Sequence, residues 1–587
     1  MERGIGTSRG IGIGHVLIVY NASAVVNRGT HYNAEEEKKR FFEARKTFIE
    51  QTEELLSELE KKLGESDKDA LVLKNQIYLA RDITTENEVV AAIDNSHICA
   101  EAAFDDVCNK LIQLFSSMDN PDMQQRVTDI QDMRERMIQI LQGTKAFDLT
   151  NLPDNTVIVA DEIKPSMTAS MDIAHVAGIV AEKGGDTAHA SILARALEIP
   201  AVLSVKGILQ KVKNGDSIII DGAYGEVFIN PTQRTFSIYE KKKKKYEEHI
   251  EELKTFINKS TETADGKKVM LAANIGGADE AAKAVKAGAE GVGLFRTEFL
   301  FLNKNALPTE EEQFEEYKKA AVLTKGMPLT IRTLDIGGDK DIPYMGLTKE
   351  TNPFLGYRAI RFCLDRVDIF TTQLRAILRA SAYGSIRIMI PMITSVNEVR
   401  QVKDMIKKIC SDLDHNGISY DKNIQTGVMI ETPAAAIMAD AIAQEVDFFS
   451  IGTNDLTQYT IAVDRCNENV AYLYSAFNPA VLRLIRRIIE CAHNAGIEAG
   501  MCGEAAANAL MAPILLSFGL DEFSVSTGKV LETRKTIADW SLKEAGLVTD
   551  KVMSMATEKE VTAVSYTHLR AHETDQHLVC RLLLEKK

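Results

Sequence analysis

The sequence predicts an α/β multidomain protein in which a C-terminal (β/α)8 barrel follows a smaller α/β domain that is interrupted by a bundle of helices. The chain has 587 residues, too many for one compact core. Eight apolar strand patterns alternate with helical patterns over about 270 residues of the second half, the arrangement expected of such a barrel. In the first half, about 110 residues of charged helical sequence separate one strand pattern from five others.

The first element is a strand, predicted from the apolar run at residues 15–20. The glycines at positions 4, 6, 10, 12 and 14 do not fit the G-x-G-x-x-G pattern of dinucleotide-binding loops, so we assign no cofactor to them. Residues 21–144 are predicted to form a helical subdomain, because Phe41, Phe48 and Leu55 recur on one helix face and Leu59 and Leu63 continue it. Exposed helical hairpins of this kind favour partner binding over catalysis.

The next elements predict that residues 1–20 and 145–230 form one α/β domain. Strand patterns occur at residues 156–160, 178–181, 201–205, 217–220 and 226–229, and helical patterns at residues 166–175 and 187–197. Residues 231–260 follow as a linker helix. Its five consecutive lysines are more typical of a solvated helix surface than of an anion site.

Residues 261–564 are predicted to form the barrel. The eight strand patterns lie at residues 269–274, 291–295, 329–332, 386–390, 426–430, 448–451, 498–501 and 522–525. Helical patterns separate them, including a single long one over residues 357–380. Residues 565–587 have no place in this alternation, and we interpret them as a foreign or frame-shifted end rather than a metal-binding tail.

The composition excludes several classes of function. A net charge of −15 and a pI near 5.4 oppose binding to nucleic acid, which requires a basic face. The chain contains no apolar run of membrane-spanning length and no signal-peptide pattern at its amino terminus, which favours a cytoplasmic location. Eight cysteines without a C-x-x-C pair indicate neither a zinc site nor a disulfide framework.

Polar side chains follow the predicted barrel strands at the end where barrel sites are found. They are Arg296, Arg332, Glu431, Asn454, Asp455, Arg465 and Cys502. A lone Arg or Asp is more often part of a surface salt bridge. Three arginines at one mouth of an acidic chain, however, predict a pocket for a small polyanion, because guanidinium groups match phosphate and carboxylate oxygens. The two carboxylates Glu431 and Asp455 suit Mg²⁺, which takes oxygen ligands and often shares its coordination sphere with a substrate phosphate.

A second candidate site lies at residues 184–191, where two glycines lead into a helix that carries His189 in its first turn. Backbone N–H groups and the positive end of the helix dipole would stabilise a phosphoryl group on that imidazole. A glycine turn before a helix is also ordinary turn chemistry. The pairing with a phosphate-binding barrel favours the catalytic interpretation, since a neutral imidazole is nucleophilic near neutral pH.

These segments resemble those of the phosphoenolpyruvate-protein phosphotransferases, the Enzyme I family of the bacterial sugar phosphotransferase system. The segment GGDTAHASILARALEIPAV is similar to the family's phosphohistidine segment. GVGLFRTEFLF and TIRTLDIGGDK resemble its substrate arginine segments, and FFSIGTNDLTQYTIAVDR and AGMCGE resemble its metal and acid segments. The resemblance covers residues 5–539.

The resemblance implies a function for each candidate residue. The first α/β domain would be a swivelling phosphohistidine domain in which His189 receives the phosphoryl group of phosphoenolpyruvate. Cys502 would be the proton donor. The resemblance implies that phosphoenolpyruvate is bound by Arg296, Arg332, Asn454, Asp455 and Arg465, and that Mg²⁺ is bound by Glu431 and Asp455. The helical subdomain would dock the histidine-containing phosphocarrier protein, and the barrel would form a homodimer.

Two features depart from the family pattern. Asp186 stands in the GGDT turn where the family usually has Arg, Lys or Pro, and its charge would repel a phosphoryl group and lower transfer. The last 23 residues lie outside the resemblance.

Two other functions stay open from the residues. A pyruvate phosphate dikinase or phosphoenolpyruvate synthase would share the histidine and the barrel, but it needs a nucleotide-binding domain, and only about 140 mainly helical residues precede the α/β segment. A non-catalytic sensor of phosphoenolpyruvate would not need the histidine, the two carboxylates and the cysteine that this chain retains.

Overall fold

The computed structural model describes residues 1–19, 26–29, 32–63, 68–117, 121–144, 149–164, 166–167, 171–185, 189–302, 304, 306–337, 342–347 and 350–574. The chain divides into two compact units, Met1–Ile250 and Glu251–Lys587. The first unit contains a β-sheet and the helical insertion, and the second contains the barrel.

The first unit is built on an eight-stranded sheet in the order β1-β8-β7-β3-β4-β5-β6-β2. Its strands are β1 (Glu2–Arg3), β2 (Ile5–Ser8), β3 (Ile11–Val19), β4 (Thr156–Ala160), β5 (Val176–Ala181), β6 (Ala201–Leu203), β7 (Ser217–Asp221) and β8 (Glu226–Ile229). Strand β3 pairs with β4 and β7 in the middle of the sheet, so it belongs to the same sheet as the strands of the later α/β segment.

The amino-terminal glycines allow close contact between strands. Strands β1 and β2 lie at opposite edges of the sheet, yet only Gly4 separates them in sequence, and its N–H donates to Gly225 O at 2.9 Å. A Cβ atom on Gly14 would lie 1.8 Å from Asn155 O. The sequence predicts one strand in this region, whereas the structure has three, because the glycines let the chain bend between short strands.

Five helices are inserted between β3 and β4. They are α1 (Ala34–Leu63), α2 (Lys68–Arg81), α3 (Ile83–Ser96), α4 (Ala100–Ser116) and α5 (Pro121–Leu141). The predicted apolar face of α1 is buried at Phe41, Phe48 and Leu59, and the first two of these pack against Phe104 and its neighbours. The helical nature of this insertion therefore follows from its 3.6-residue periodicity.

The described residues of this part of the chain also contain the helices α6 (His189–Ala196) and α7 (Gln233–Lys254). Within the helix predicted over residues 166–175, residues 166 and 167 are helical and Ile173–His175 form a 3₁₀ turn, while residues 168–170 lie outside the described residues. His175 Nδ1 lies 2.7 Å from Asp172 Oδ2, and the N–H of Asp172 donates to Leu149 O at 2.8 Å. Such local side-chain and main-chain bonds compete with helix formation.

The second unit is a closed barrel of eight parallel strands, as predicted. Its strands are β9 (Met270–Ile275), β10 (Gly291–Arg296), β11 (Leu329–Arg332), β12 (Ile386–Ile390), β13 (Gln425–Ile430), β14 (Phe448–Ile451), β15 (Glu498–Met501) and β16 (Glu522–Ser526). Strands β16 and β9 pair from Glu522 and Met270 onwards and close the ring.

Helices surround the barrel and continue beyond it. They are α8 (Ala278–Lys286), α9 (Glu298–Leu302), α10 (Glu310–Leu323), α11 (Ile360–Asp365), α12 (Val367–Ala380), α13 (Val396–His415), α14 (Pro433–Ile437), α15 (Ala439–Ile442), α16 (Thr453–Ile461), α17 (Pro479–Ala495), α18 (Ala512–Phe518), α19 (Val530–Asp539), α20 (Leu542–Ser554) and α21 (Glu558–Thr574). The first ten residues of the predicted foreign end belong to α21, and the rest lie outside the described residues.

The single helix predicted over residues 357–380 is wrong, because the structure has two helices that meet at Arg366. The first begins only at Ile360, after Ala359, whose φ is 49°. Positive φ is strained for a residue with a Cβ. Arg358 therefore lies in a tight turn before the helix rather than on a helix surface.

No helix in the described part of the chain is both long enough and apolar enough to cross a membrane.

Candidate active site at the barrel mouth

The structure brings the predicted barrel residues to one mouth, at the carboxyl ends of the strands. Arg296 and Arg332 are the last residues of the neighbouring strands β10 and β11, and they pair with each other in the sheet register. Glu431 directly follows β13, and Cys502 directly follows β15. Asn454 and Asp455 lie in the first turn of α16, and Arg465 follows that helix.

Arg332 is buried and held by carboxylates on both sides. Its Nη2 donates to Glu298 Oε1 at 2.7 Å, and its Nη1 lies 3.2 Å from Asp335 Oδ2. Burial lowers the pKa of the guanidinium, but Glu298 and Asp335 outweigh that effect and raise the pKa of Arg332 above its usual value. The group is a permanent, oriented cation at the floor of the mouth.

Arg358 is a further arginine at this mouth, and it is not among the predicted site residues. Its Nη2 donates to Asp335 Oδ1 at 3.0 Å and to Asp455 Oδ2 at 3.4 Å, and its Nη1 donates to the hydroxyl of Tyr459 at 3.1 Å. The sequence offers a signal in Gly356, which with Pro353 marks a turn inside the predicted helix.

Glu431 and Asp455 form the carboxylate side of the mouth. Glu431 is buried, and its Oε1 accepts a hydrogen bond from the N–H of Met392 at 2.7 Å. Burial, followed by the charges of Asp455 and Asp335, raises the pKa of Glu431 to about 8. Asp455 Oδ1 is buried and accepts no hydrogen bond from the described residues. Carboxylates crowded in this way are stabilised by a shared cation.

These two carboxylates can bind a divalent metal ion only together with oxygen atoms from water or from a bound substrate. No group of three or more His, Cys, Asp and Glu side chains in the described residues is arranged to hold a metal. Magnesium commonly binds through one or two carboxylates, several waters and a substrate phosphate. The donor set of Glu431 and Asp455 satisfies that requirement.

Asn454 and Arg465 lie beside this pair. Asn454 Oδ1 accepts a hydrogen bond from the N–H of Glu504 at 3.4 Å, and the hydroxyl of Tyr474 donates to Asn454 O at 3.1 Å. Burial lowers the pKa of Arg465, but Asp455 and Tyr474 raise it above its usual value. Arg465 is half-buried and stays charged.

The sulfur of Cys502 lies inside the barrel against apolar side chains. Its neighbours in this layer are Leu294, Met389, Met429 and Phe448. Burial raises the pKa of the Cys502 thiol to about 11. The thiol is therefore protonated at neutral pH, as a proton donor must be.

Several buried polar atoms at this mouth have no hydrogen-bond partner among the described residues. They are Arg296 Nε, Arg332 Nε, Arg358 Nε, Thr453 Oγ1, Asp455 Oδ1 and Gln458 Nε2. Buried polar groups in proteins are normally paired, so a concentration of exceptions indicates a ligand site. Three guanidinium N–H donors match a ligand that carries phosphate and carboxylate oxygens.

Comparisons with known proteins agree with this geometry. Family models described as PEP-utilising enzyme match three parts of the chain: the N-terminal model at residues 3–126, the mobile-domain model at residues 152–225 and the PEP-binding domain model at residues 250–542. The phosphoenolpyruvate-protein phosphotransferase of Bacillus sp. (strain S) is 43% identical over 95% of this chain and 96% of its own length. Those of Geobacillus stearothermophilus and Bacillus subtilis (strain 168) are 43% and 42% identical over 95% and 96% of this chain, and over 96% and 98% of their own lengths.

The chain belongs to the phosphoenolpyruvate-protein phosphotransferase family. The resemblance drawn from the sequence is thereby confirmed. The PEP-binding match contains every residue of the barrel mouth, and the mobile-domain match contains His189.

The histidine turn of this phosphotransferase-family chain is described only at Gly184 and Gly185 and again from His189 onwards. Gly184 has a φ of +106°, and α6 begins at His189. The hydroxyl of Ser191 donates to Gly185 O at 2.6 Å and fixes the turn from inside the helix. The side chain of His189 and all of Asp186 lie outside the described residues, so the predicted effect of Asp186 stays a prediction.

Proposed function

We propose that this chain transfers the phosphoryl group of phosphoenolpyruvate to its own His189 and then to the histidine-containing phosphocarrier protein, releasing pyruvate as the first step of the sugar phosphotransferase system. Membership of the family supports the reaction. The observation that carries the proposal is the cluster of oriented arginines facing two carboxylates at the barrel mouth, with buried N–H groups that have no hydrogen-bond partner among the described residues. We propose that the reaction takes place in the cytoplasm.

The arginines are proposed to bind both ends of phosphoenolpyruvate. Arg296, Arg332 and Arg465 carry permanent positive charge, and Asn454 and Asp455 begin a helix at the same mouth. Arg358 adds a fourth guanidinium that its carboxylate partners already hold in place. Preorganised cations stabilise the charge that develops on the bridging oxygen when the O–P bond breaks.

Glu431 and Asp455 are proposed to hold Mg²⁺. When bound, the ion supplies positive charge to phosphate and enolate oxygens. The raised pKa of Glu431 means that this carboxyl must lose its proton for the ion to bind.

The chemistry has two steps in this proposal. A ring nitrogen of His189 forms a bond to phosphorus as the bond between phosphorus and the bridging oxygen breaks, and that oxygen keeps the electron pair as an enolate. The enolate carbon then takes a proton from Cys502 as the S–H bond breaks, which yields pyruvate and a thiolate that solvent reprotonates. Burial supports this role because it keeps the thiol protonated until the enolate forms.

Because His189 belongs to the first compact unit and the barrel mouth to the second, the proposal requires His189 to reach the barrel and then an outside acceptor. Residues 231–260 are the proposed lever for that motion.

The helical insertion is the proposed docking surface for the phosphocarrier protein. It exposes apolar side chains, and Tyr78 and Ile83 are 70% and 71% exposed. The barrel is the proposed dimerisation unit. Its loops expose Leu355 and Tyr472, which are 67% and 79% exposed. Contiguous exposed apolar patches mark interaction surfaces, and we propose that these side chains belong to such patches.

Incubation with phosphoenolpyruvate labelled in its phosphoryl group, with and without Mg²⁺ and a phosphocarrier protein, tests the proposal. The expected result is an acid-labile label on His189 that moves to the carrier. A non-catalytic sensor would bind phosphoenolpyruvate and remain unlabelled. A dikinase or synthase relative would also acquire label when labelled ATP replaces phosphoenolpyruvate in the incubation. A His189→Ala variant that still becomes labelled would refute the assignment of the histidine.

A further inference from the structure

The peptide groups on both sides of the Cys502 side chain are fixed by hydrogen bonds. The N–H of Cys502 donates to Ile451 O at 3.2 Å. Its carbonyl lies beyond the end of the β15–β16 ladder, where Met501 pairs with Phe523 as the last residue of β15. The Cys502 carbonyl accepts its hydrogen bond from a side chain instead.

That partner is Asn274, on strand β9. Asn274 Nδ2 donates to Cys502 O at 3.0 Å and to Ser524 O at 3.3 Å. Its Oδ1 accepts a hydrogen bond from the hydroxyl of Ser524 at 2.7 Å. The carboxamide thus reaches across β16 and joins three consecutive parts of the barrel wall, with both of its ends engaged.

The residue after the cysteine is equally restricted. A Cβ atom on Gly503 would lie 1.8 Å from Thr453 Oγ1 and 2.7 Å from Thr453 N. The loop after β15 therefore packs directly on the first turn of α16, which carries Asn454 and Asp455. The Cys502 main chain is held from the β14 side, from the α16 side and, through Asn274, from the β9 side.

We propose that Asn274, oriented by Ser524, is a positioning residue that holds the Cys502 thiol in register for proton transfer to the enolate carbon. This inference rests on the proposed function, because it requires Cys502 to be the proton donor. The proton moves along one line from the Cys502 sulfur to the enolate carbon. A displacement of the sulfur by about 1 Å lowers the rate of this proton transfer on the order of 100-fold. Asn274 forms no part of the phosphoryl transfer step.

Single-turnover reactions with labelled phosphoenolpyruvate and Mg²⁺ separate the two steps in wild-type protein, Asn274→Ala and Ser524→Ala. Label on His189 reports phosphoryl transfer, and a coupled lactate dehydrogenase assay reports pyruvate. The expected result is labelling within about twofold of wild type and pyruvate formation at least about tenfold slower, with a smaller loss in Ser524→Ala because Asn274 remains. Asn416→Ala and Ser381→Ala remove an amide and a buried serine hydroxyl elsewhere in the same unit and should leave both rates unchanged.

A second readout distinguishes positioning from general damage. In Cys502→Ala, adding Asn274→Ala should slow pyruvate formation no further, since the donor that Asn274 positions is already absent. Alkylation of Cys502, mapped by mass spectrometry, should be faster in Asn274→Ala than in wild type.

Other outcomes overturn the inference. Equal losses of labelling and pyruvate formation in the single variants, multiplicative losses in the double variant, or unchanged rates throughout would each do so. A wild-type protein that acquires no label would instead refute the proposed function. If Asn274→Ala does not fold, Ser524→Ala alone decides between these outcomes.

Discussion

Arg358 Nη2 lies 3.4 Å from Asp455 Oδ2 and so joins the arginines of the barrel mouth to its carboxylates. Asp335 lies between Arg332 and Arg358 and contacts both. Ligand binding at one side of this network therefore changes the hydrogen bonds and electrostatic interactions at the other side.

Replacement of Arg358 by lysine should weaken phosphoenolpyruvate binding about 10- to 100-fold, because charged hydrogen bonds of a planar fork contribute roughly 1.5–3 kcal/mol that an ammonium group cannot reproduce. The concentration dependence of His189 labelling measures this effect. Arg400→Lys is the matched control, since Arg400 makes a comparable fork with Glu445 on the surface. Unchanged affinity in Arg358→Lys would remove this residue from the site.

A methyl group at position 452 should impair metal binding. A Cβ atom on Gly452 would lie 2.6 Å from Glu431 Oε2, so Gly452→Ala must displace that carboxylate. The Mg²⁺ concentration for half-maximal labelling should rise by about tenfold, the order expected when a ligand loses its orientation. Gly546→Ala, where no described residue lies within 4 Å of the added atom, should leave that concentration unchanged. Equal behaviour of the two variants would contradict the role of Glu431.

The pKa of the Cys502 thiol predicts the pH dependence of its reactivity. Burial raises this pKa from 9.0 to about 11, so alkylation of Cys502 should be slow at pH 8 and accelerate toward pH 11. Because the folded state holds the proton more tightly, its contribution to stability is complete below pH 9 and is lost as the pH rises through 11. Mass spectrometry of alkylated peptides measures the rate, and the exposed Cys466 serves as an internal reference. Rapid alkylation of Cys502 at pH 8 would show that the thiol is not buried in solution.

The two glycines before His189 should differ in their tolerance of substitution. Gly184 has a φ of +106°, which strains any residue with a Cβ, by about 1–3 kcal/mol. Gly184→Ala should therefore lower both thermal stability and labelling of His189. Gly185→Ala introduces no contact within 4 Å with the described residues and should retain labelling within about twofold. Loss of labelling in both variants alike would contradict a specific role for the Gly184 turn.

The strands of the barrel and most of its mouth could be predicted because both depend on short-range patterns. Strands buried on both faces form apolar runs, and a polar residue directly after such a run, such as Arg332 or Glu431, stands out. Arg358 could not be found in this way, because it follows no strand. Its position depends on the turn at Ala359 and on Asp335, which is distant in sequence.

The structural role of the amino-terminal glycines could not be predicted from the sequence either. These glycines allow close contacts with residues far along the chain, such as Asn155 and Gly225, and the contacts exist only in the folded sheet. Asn274 is a similar case. It ends the first predicted barrel strand, as Arg332 ends the third, but its partner Cys502 becomes its neighbour only when the barrel closes.

The placement of β1 and β2 at the two outer positions of the first sheet has a consequence for a unit proposed to move. Strands β8 and β6 would otherwise end the sheet with open rows of N–H and C=O groups, which recruit strands from other molecules. One short segment of six described strand residues, bent at Gly4, covers both rows. Because β1 and β2 have only two and four residues, the outer rows that remain exposed are too short to pair stably with strands of other molecules.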